Sequence, residues 1–119
     1  MSAKKQLDID CLSLCKKIIK IRARGMCECG CGRRGDDMSH IINRDRAATR
    51  YDLENLVLLC RKCHNHDRPR ELKGRHIRII GQERYEILRE KSRGYKKWTV
   101  VDLLELKKEL SVILKKMGF

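Results

Sequence analysis

Two stretches decide how this chain folds and what chemistry it carries: Asp37-Met38-Ser39-His40-Ile41-Ile42, and Asn55-Leu56-Val57-Leu58-Leu59-Cys60-Arg61-Lys62-Cys63-His64. The first sets a His in a short strand-forming run, Met38 to Ile42, behind an acid. The second carries an apolar patch, Leu56 to Leu59, into Cys-x-x-Cys, the spacing at which two sulfurs can face one tetrahedral metal. From Cys60 onward the sequence reads as the start of a short helix, while Arg44 to Tyr51 is polar and loop-like.

A partner for Cys60 and Cys63 lies upstream. Cys27-Glu28-Cys29-Gly30-Cys31-Gly32 packs three thiols and two glycines into six residues and cannot be a regular helix. Four of the five thiols Cys27, Cys29, Cys31, Cys60 and Cys63 would hold one structural Zn2+, since four thiolates saturate the ion and leave no place for water. The three residues between Cys27 and Cys31 curl around a metal more easily than the single residue between Cys27 and Cys29. Spacing alone nevertheless leaves open which two of the triplet are used. Such a site ties together segments some thirty residues apart and supplies no chemistry of its own.

The chain has 119 residues, with 29 Lys or Arg against 16 Asp or Glu, for a net charge of +13. That length allows a small domain with helical extensions. With 41% hydrophobic and only 4% aromatic residues the core must be small and aliphatic, a situation in which a bound metal helps. The charge asks for an anionic partner, nucleic acid or an anionic membrane surface. No run reaches the ~20 apolar residues of a membrane-spanning helix. Met1 to Asp10 has no apolar signal core, which predicts an intracellular protein. Seven cysteines cannot all pair within one chain, and clustered thiols inside cells more often bind metal.

Three regions follow. Residues 1–26 hold an amphipathic helix over Leu7 to Arg24, with Leu7, Cys11, Leu14, Cys15, Ile18 and Ile21 on one stripe. Cys11 and Cys15, one turn apart, read as small core residues rather than a metal pair. Residues 27–70 form the metal-bearing core. Residues 71–119 are helical: Glu71 to Ile80 and Gln82 to Lys91 break at Gly81, and Thr99 caps a last helix with Asp102 three residues on. Leu103, Leu106, Leu110, Ile113 and Met117 make an apolar seam on it, too short to establish a coiled coil. The expected class is α+β, mainly helical.

In the order His40, Asn55, His64, framed by thiols, the two opening stretches resemble the HNH endonuclease motif. The resemblance is to its zinc-containing members, whose ββα-metal fold is a hairpin and helix around one divalent ion. A narrower similarity, carried by Arg50-Tyr51-Asp52-Leu53-Glu54-Asn55, Ile80-Gly81-Gln82-Glu83 and Trp98-Thr99, is to the C-terminal part of the NinG/Rap recombination endonucleases of lambdoid phages. Two departures stand out: this chain has a thiol triplet where the family has Cys-x-x-Cys, and His64 where it has Asn.

The resemblance and the chemistry of phosphodiester hydrolysis suggest the same roles. His40 would be the general base, because an imidazole near its ordinary pKa takes a proton from water at neutral pH. Asn55 would orient His40 or pin the loop through its amide. His64 would hold a catalytic Mg2+ or Mn2+, with Zn2+ or Ni2+ as alternatives. Ser39, directly before the base, is a poor ligand, so Asp37 is the better second one. On a regular strand Asp37 points away from His40, so it needs a bulge or twist to converge. His66 is an outside candidate.

Basic residues surround these positions. Arg61 to Lys97 holds thirteen Lys or Arg against five acids, +8 of the total. Arg44, Arg46, Arg50, Arg61, Lys62, Arg68, Arg70, Lys73 and Arg75 are the expected DNA contacts, gripping phosphates without reading bases. Tyr51 is the expected exposed stacking residue and Trp98 a core anchor. The family resemblance implies cleavage of branched recombination intermediates such as D-loops and Holliday junctions, in the host cytoplasm if the chain is phage-encoded. Symmetric junction cutting needs two active sites; a homodimer through the seam of the last helix is the hypothesis, the default being that the seam packs against the chain's other helices. Alternatives are a general HNH nicking or restriction-like nuclease and a non-catalytic zinc-containing DNA-binding protein.

Overall fold

The computed structural model describes residues 2–65 and 69–118. Helix α1 runs over Ala3–Arg22, opened by the Ser2 hydroxyl accepting from the Lys5 N–H at 3.2 Å. It stops where Arg24 and Gly25 take positive φ, a conformation that ends a helix. Strand β1 (Asp37–His40) follows, then two single 3₁₀ turns and strand β2 (Leu56–Leu59). Short helix α2 (Arg61–Asn65) leads to α3 (Pro69–Ile80), α4 (Gln82–Ser92) and α5 (Val100–Lys116). Gly81, with φ 89°, separates α3 from α4. Thr99 and Asp102 close a reciprocal capping box on α5. The architecture is mainly helical α+β with a two-stranded sheet.

β1 and β2 are antiparallel, pairing Asp37 with Leu59 and His40 with Leu56. Every β2 residue is buried. Alternation along the strand sends Leu56 and Leu58 to one side and Val57 and Leu59 to the other. Leu56 and Leu58 join Leu7, Cys11, Cys15, Ile18, Ile19, Leu103 and Leu110, the facing stripes of α1 and α5. Val57 and Leu59 join Cys27, Cys60, Cys63, Tyr85 and Leu88. This two-sided burial explains why the patch reads as a continuous apolar run rather than an alternating one.

Cys11 and Cys15 are fully buried in the first cluster, and burial pushes the Cys15 thiol up to about 12. Both are packing residues. The α5 seam is likewise internal: Leu103 and Leu110 are buried against α1, with Leu106, Leu114 and Met117 packed beside them. Four of the five seam residues therefore pack within the chain, as the default reading had it. The apolar residues that α5 does expose are Val100, Val101, Leu104, Val112 and the remaining seam residue, Ile113. No described helix is long and apolar enough to cross a membrane.

Gly35 lets the thiol loop lie on β2. A Cβ there would sit 2.5 Å from Leu58 Cγ and 3.3 Å from the Cys27 nitrogen. Because Leu58 is fully buried it has nowhere to retreat. Gly35→Ala should cost on the order of 1–3 kcal/mol, read as a lowered midpoint in urea unfolding.

Candidate active site and metal centre

The thiol cluster is assembled by the sheet. The Glu28 N–H donates to the Leu58 carbonyl at 2.8 Å, and the Glu28 carboxylate accepts the Leu58 N–H at 2.9 Å. Arg22, at the end of α1, donates to Glu28 and to the Leu53 and Leu56 carbonyls. The loop carrying Cys27, Cys29 and Cys31 is thus clamped to the edge of β2, directly before Cys60. Sγ–Sγ separations are 3.2 Å for Cys27–Cys29, 3.3 Å for Cys29–Cys63 and 3.8 Å for Cys31–Cys60.

A tetrahedral ion with sulfurs at about 2.3 Å requires edges of about 3.8 Å, which the Cys31–Cys60 separation meets. The other two are about half an ångström shorter, so the cluster could hold zinc once those thiols part slightly. All five thiols converge. The tightest group is Cys27, Cys29, Cys31 and Cys63, all within 4.8 Å of one another. It takes the whole triplet, whereas the spacing argument favours two of it with Cys60 and Cys63. Cys60 Sγ instead accepts the Cys63 N–H at 3.3 Å, at the start of α2. The thiols are electrostatically unequal. Burial pushes Cys27 up to about 12, while the Arg33 backbone N–H and neighbouring thiols draw exposed Cys31 down to about 6. The purified chain should contain about one zinc per molecule by elemental analysis. Of the five single Cys→Ser variants, four should lose it and one should keep it.

His40 sits at the loop end of β1, partly buried, with Nε2 3.0 Å from the Arg50 carbonyl. A carbonyl only accepts, so Nε2 carries the proton and Nδ1 is the basic nitrogen of the neutral ring. Burial pulls the His40 pKa below the ordinary imidazole value, against the raising effect of the Arg50 carbonyl, and the positive charges of Arg44 and Arg50 add to the lowering. The environment therefore favours the neutral ring.

Asn55 is fully buried and makes three hydrogen bonds. Its Oδ1 accepts the Ile42 N–H at 2.7 Å, and its Nδ2 donates to the Ile42 and Thr49 carbonyls at 3.1 and 3.0 Å. It pins the 41–55 loop and reaches His40 only through the Arg50 backbone that the loop presents. Asn55→Ala would leave an N–H and two carbonyls without their partner. Chemical denaturation should show a loss of about 2–4 kcal/mol, at about 1–3 kcal/mol per orphaned buried group with partial relaxation.

Asp37 stays on a regular register with no bulge, so it does not converge on His40. It meets α2 instead: Oδ2 lies 3.2 Å from His64 Nδ1, and Oδ1 lies 3.4 Å from the Arg61 guanidinium. Burial alone would raise the Asp37 pKa, but these two partners outweigh it and hold the carboxyl below its usual value. Among the described residues His64 Nε2 has no hydrogen-bond partner. A carboxylate and an imidazole this close are a donor set suited to a divalent cation.

His40 and His64 line one open cavity of about 380 Å³, together with Ser39, Arg44, Lys73 and His76. Residues 27–70 match the family model of HNH endonucleases. Neither the curated proteins nor the solved structures gave a match. The matched HNH segment spans the thiol cluster, both strands, α2 and the first residues of α3. It therefore contains His40, Asn55 and His64.

His76 escaped the sequence reading. It is 2% exposed on α3, with Nε2 2.8 Å from the Ser39 hydroxyl. Its position well beyond the motif gave no signal, and only the packing of α3 beside β1 brings it in. Of the expected DNA contacts, Arg44, Arg46, Arg61, Lys62, Arg70 and Lys73 are exposed and Arg75 is half-buried. Arg50 differs: its guanidinium binds Asp8 in a fork, at 2.9 and 2.8 Å, and also donates to the Arg44 carbonyl. It is a structural tie between α1 and the loop. Arg68 and His66 lie outside the described residues.

Proposed function

We propose that this chain is a metal-dependent endonuclease that hydrolyses DNA phosphodiester bonds, with a preference for branched recombination intermediates. The observation that carries the nuclease reading is the shared cavity. It sets a neutral imidazole, fixed by a backbone carbonyl, beside a second imidazole fixed by a carboxylate, within an HNH domain match. Support for branched substrates comes from the motif resemblance to the NinG/Rap family. Exposed Arg and Lys side chains that bind backbone rather than bases are consistent with it.

In this reading His40 Nδ1 accepts the proton of the attacking water, and the Arg50 carbonyl keeps the ring in the tautomer that allows it. Asn55 holds the loop that presents that carbonyl. His64 would hold Mg2+ or Mn2+ through Nε2, and Asp37 orients it through Nδ1 or shares the ion. The bound cation would stabilise charge on the phosphate and the leaving oxygen. Arg44 and Lys73, on the cavity wall, offer positive charge to the flanking phosphates. Zinc at the thiols is structural.

His40→Ala should lower the cleavage rate by about 10²–10⁴-fold, the usual worth of a general base. The protonated ring cannot accept a proton, so activity is lost on the acid side. Because the His40 pKa is depressed, the acid limb of the rate profile should fall below pH 6.5, the ordinary imidazole value. Comparing linear duplex, nicked, D-loop and four-way-junction DNA with Mg2+ or Mn2+ tests the whole proposal. Preferential cutting of the branched forms is expected. Equal cutting would remove the preference, and no cutting of any substrate would remove the nuclease.

A further inference from the structure

A second basic site lies where the start of α1 meets the segment before α5. Lys4 and Lys5 at the start of α1 and Lys96 and Lys97 before α5 surround a cavity of about 470 Å³ floored by Tyr51 and Trp98. The Lys96 ammonium stands 4.4 Å over the Trp98 ring, and Trp98 is fixed edge-on to Tyr51 and by a hydrogen bond to the Ala47 carbonyl.

The expected stacking residue, Tyr51, is only 6% exposed and belongs to the core. Tyr95 is the opposite, 91% exposed, and it borders an adjoining hollow that also includes Lys96 and Trp98. The nearby carboxylates are already engaged by partners within the chain. Asp8 accepts from Arg50 and from the Tyr51 hydroxyl, Asp52 pairs with Lys91, and Asp102 is held in the α5 cap. What remains is a positively charged hollow beside one fully presented aromatic ring. That combination suits a nucleic acid strand whose bases are free to stack.

We infer that the 93–98 loop and the start of α1 form a second DNA site, apart from the hydrolytic centre, that holds an unpaired strand. Tyr95 stacks on a base while Lys4, Lys5, Lys96 and Lys97 bind the phosphates beside it. A paired duplex hides its base faces and gains only the phosphate contacts. The site therefore favours DNA with an open strand, which deepens the branched-substrate reading and rests on the nuclease proposal for the identity of its ligand.

The test is binding, without Mg2+ or Mn2+, of the zinc-loaded chain to a labelled oligothymidylate and to a blunt duplex. Trp98 is the only tryptophan, so oligothymidylate seated here should quench the protein's tryptophan fluorescence. Tyr95→Ala should weaken oligothymidylate binding about tenfold and leave duplex binding unchanged. The exposure of Tyr95 keeps folding out of the question. Lys96→Ala with Lys97→Ala should reduce the salt slope for the single strand by about 1.4, two phosphate contacts at about 0.7 each. Unquenched fluorescence, or wild-type affinity and slope in both variants, would overturn the site. Cleavage that persists alongside such a result leaves the nuclease standing and removes only this inference. Variant-sensitive binding in a chain that cuts nothing does the reverse.

Discussion

Strand β2 has no face toward water, and the rest of the molecule is arranged around that fact. Four consecutive apolar residues can be buried only if both sides are covered. α1 and α5 cover Leu56 and Leu58, while the thiol loop with α4 covers Val57 and Leu59. A strand fixed this way has one register. It places Asn55 at one end, in the loop clamp, and Cys60 at the other, in the thiol cluster. The histidines are then carried to a common cavity by β1, paired along β2, and by α2, which begins right after it.

Around this strand the polar groups form chains rather than isolated pairs. Asp8 on α1 holds the Arg50 guanidinium and the Tyr51 hydroxyl, and the Arg50 carbonyl holds His40. Burial would raise Asp8, yet the bonds from Arg50 and Tyr51 outweigh it and keep the carboxylate charged. Helix α1 thereby fixes the orientation of the His40 ring. Asp37 does the same for His64. Each of these two imidazoles has one nitrogen engaged, which sets the tautomer and leaves the other nitrogen to the cavity.

Much of the fold was legible because its signals are local. Thr99 and Asp102 announce a helix start through a reciprocal hydrogen bond over three residues, and Gly81 announces a break through its positive φ. The crowding of Cys27, Cys29 and Cys31 and the spacing of Cys60 and Cys63 announce thiols that gather in one cluster. Where the reading went astray, long-range packing decided. Arg50 looked like a phosphate contact, but Asp8, 42 residues away in sequence, claims it. Tyr51 looked exposed in a polar loop, but it packs beneath Trp98 and α1.

The sequence by itself determined the chemical inventory: which thiols cluster, which imidazoles and carboxylates are present, and their order along the chain. Tertiary structure alone decided which nitrogen of each imidazole is occupied, that Asp37 meets His64 rather than His40, and that His76 reaches Ser39. It also decided that Tyr95, not Tyr51, is the ring presented to solvent. The reason is physical. Residue type and spacing fix what a side chain can donate, accept or ligate. Its partner depends on which distant surfaces the burial of β2 forces together.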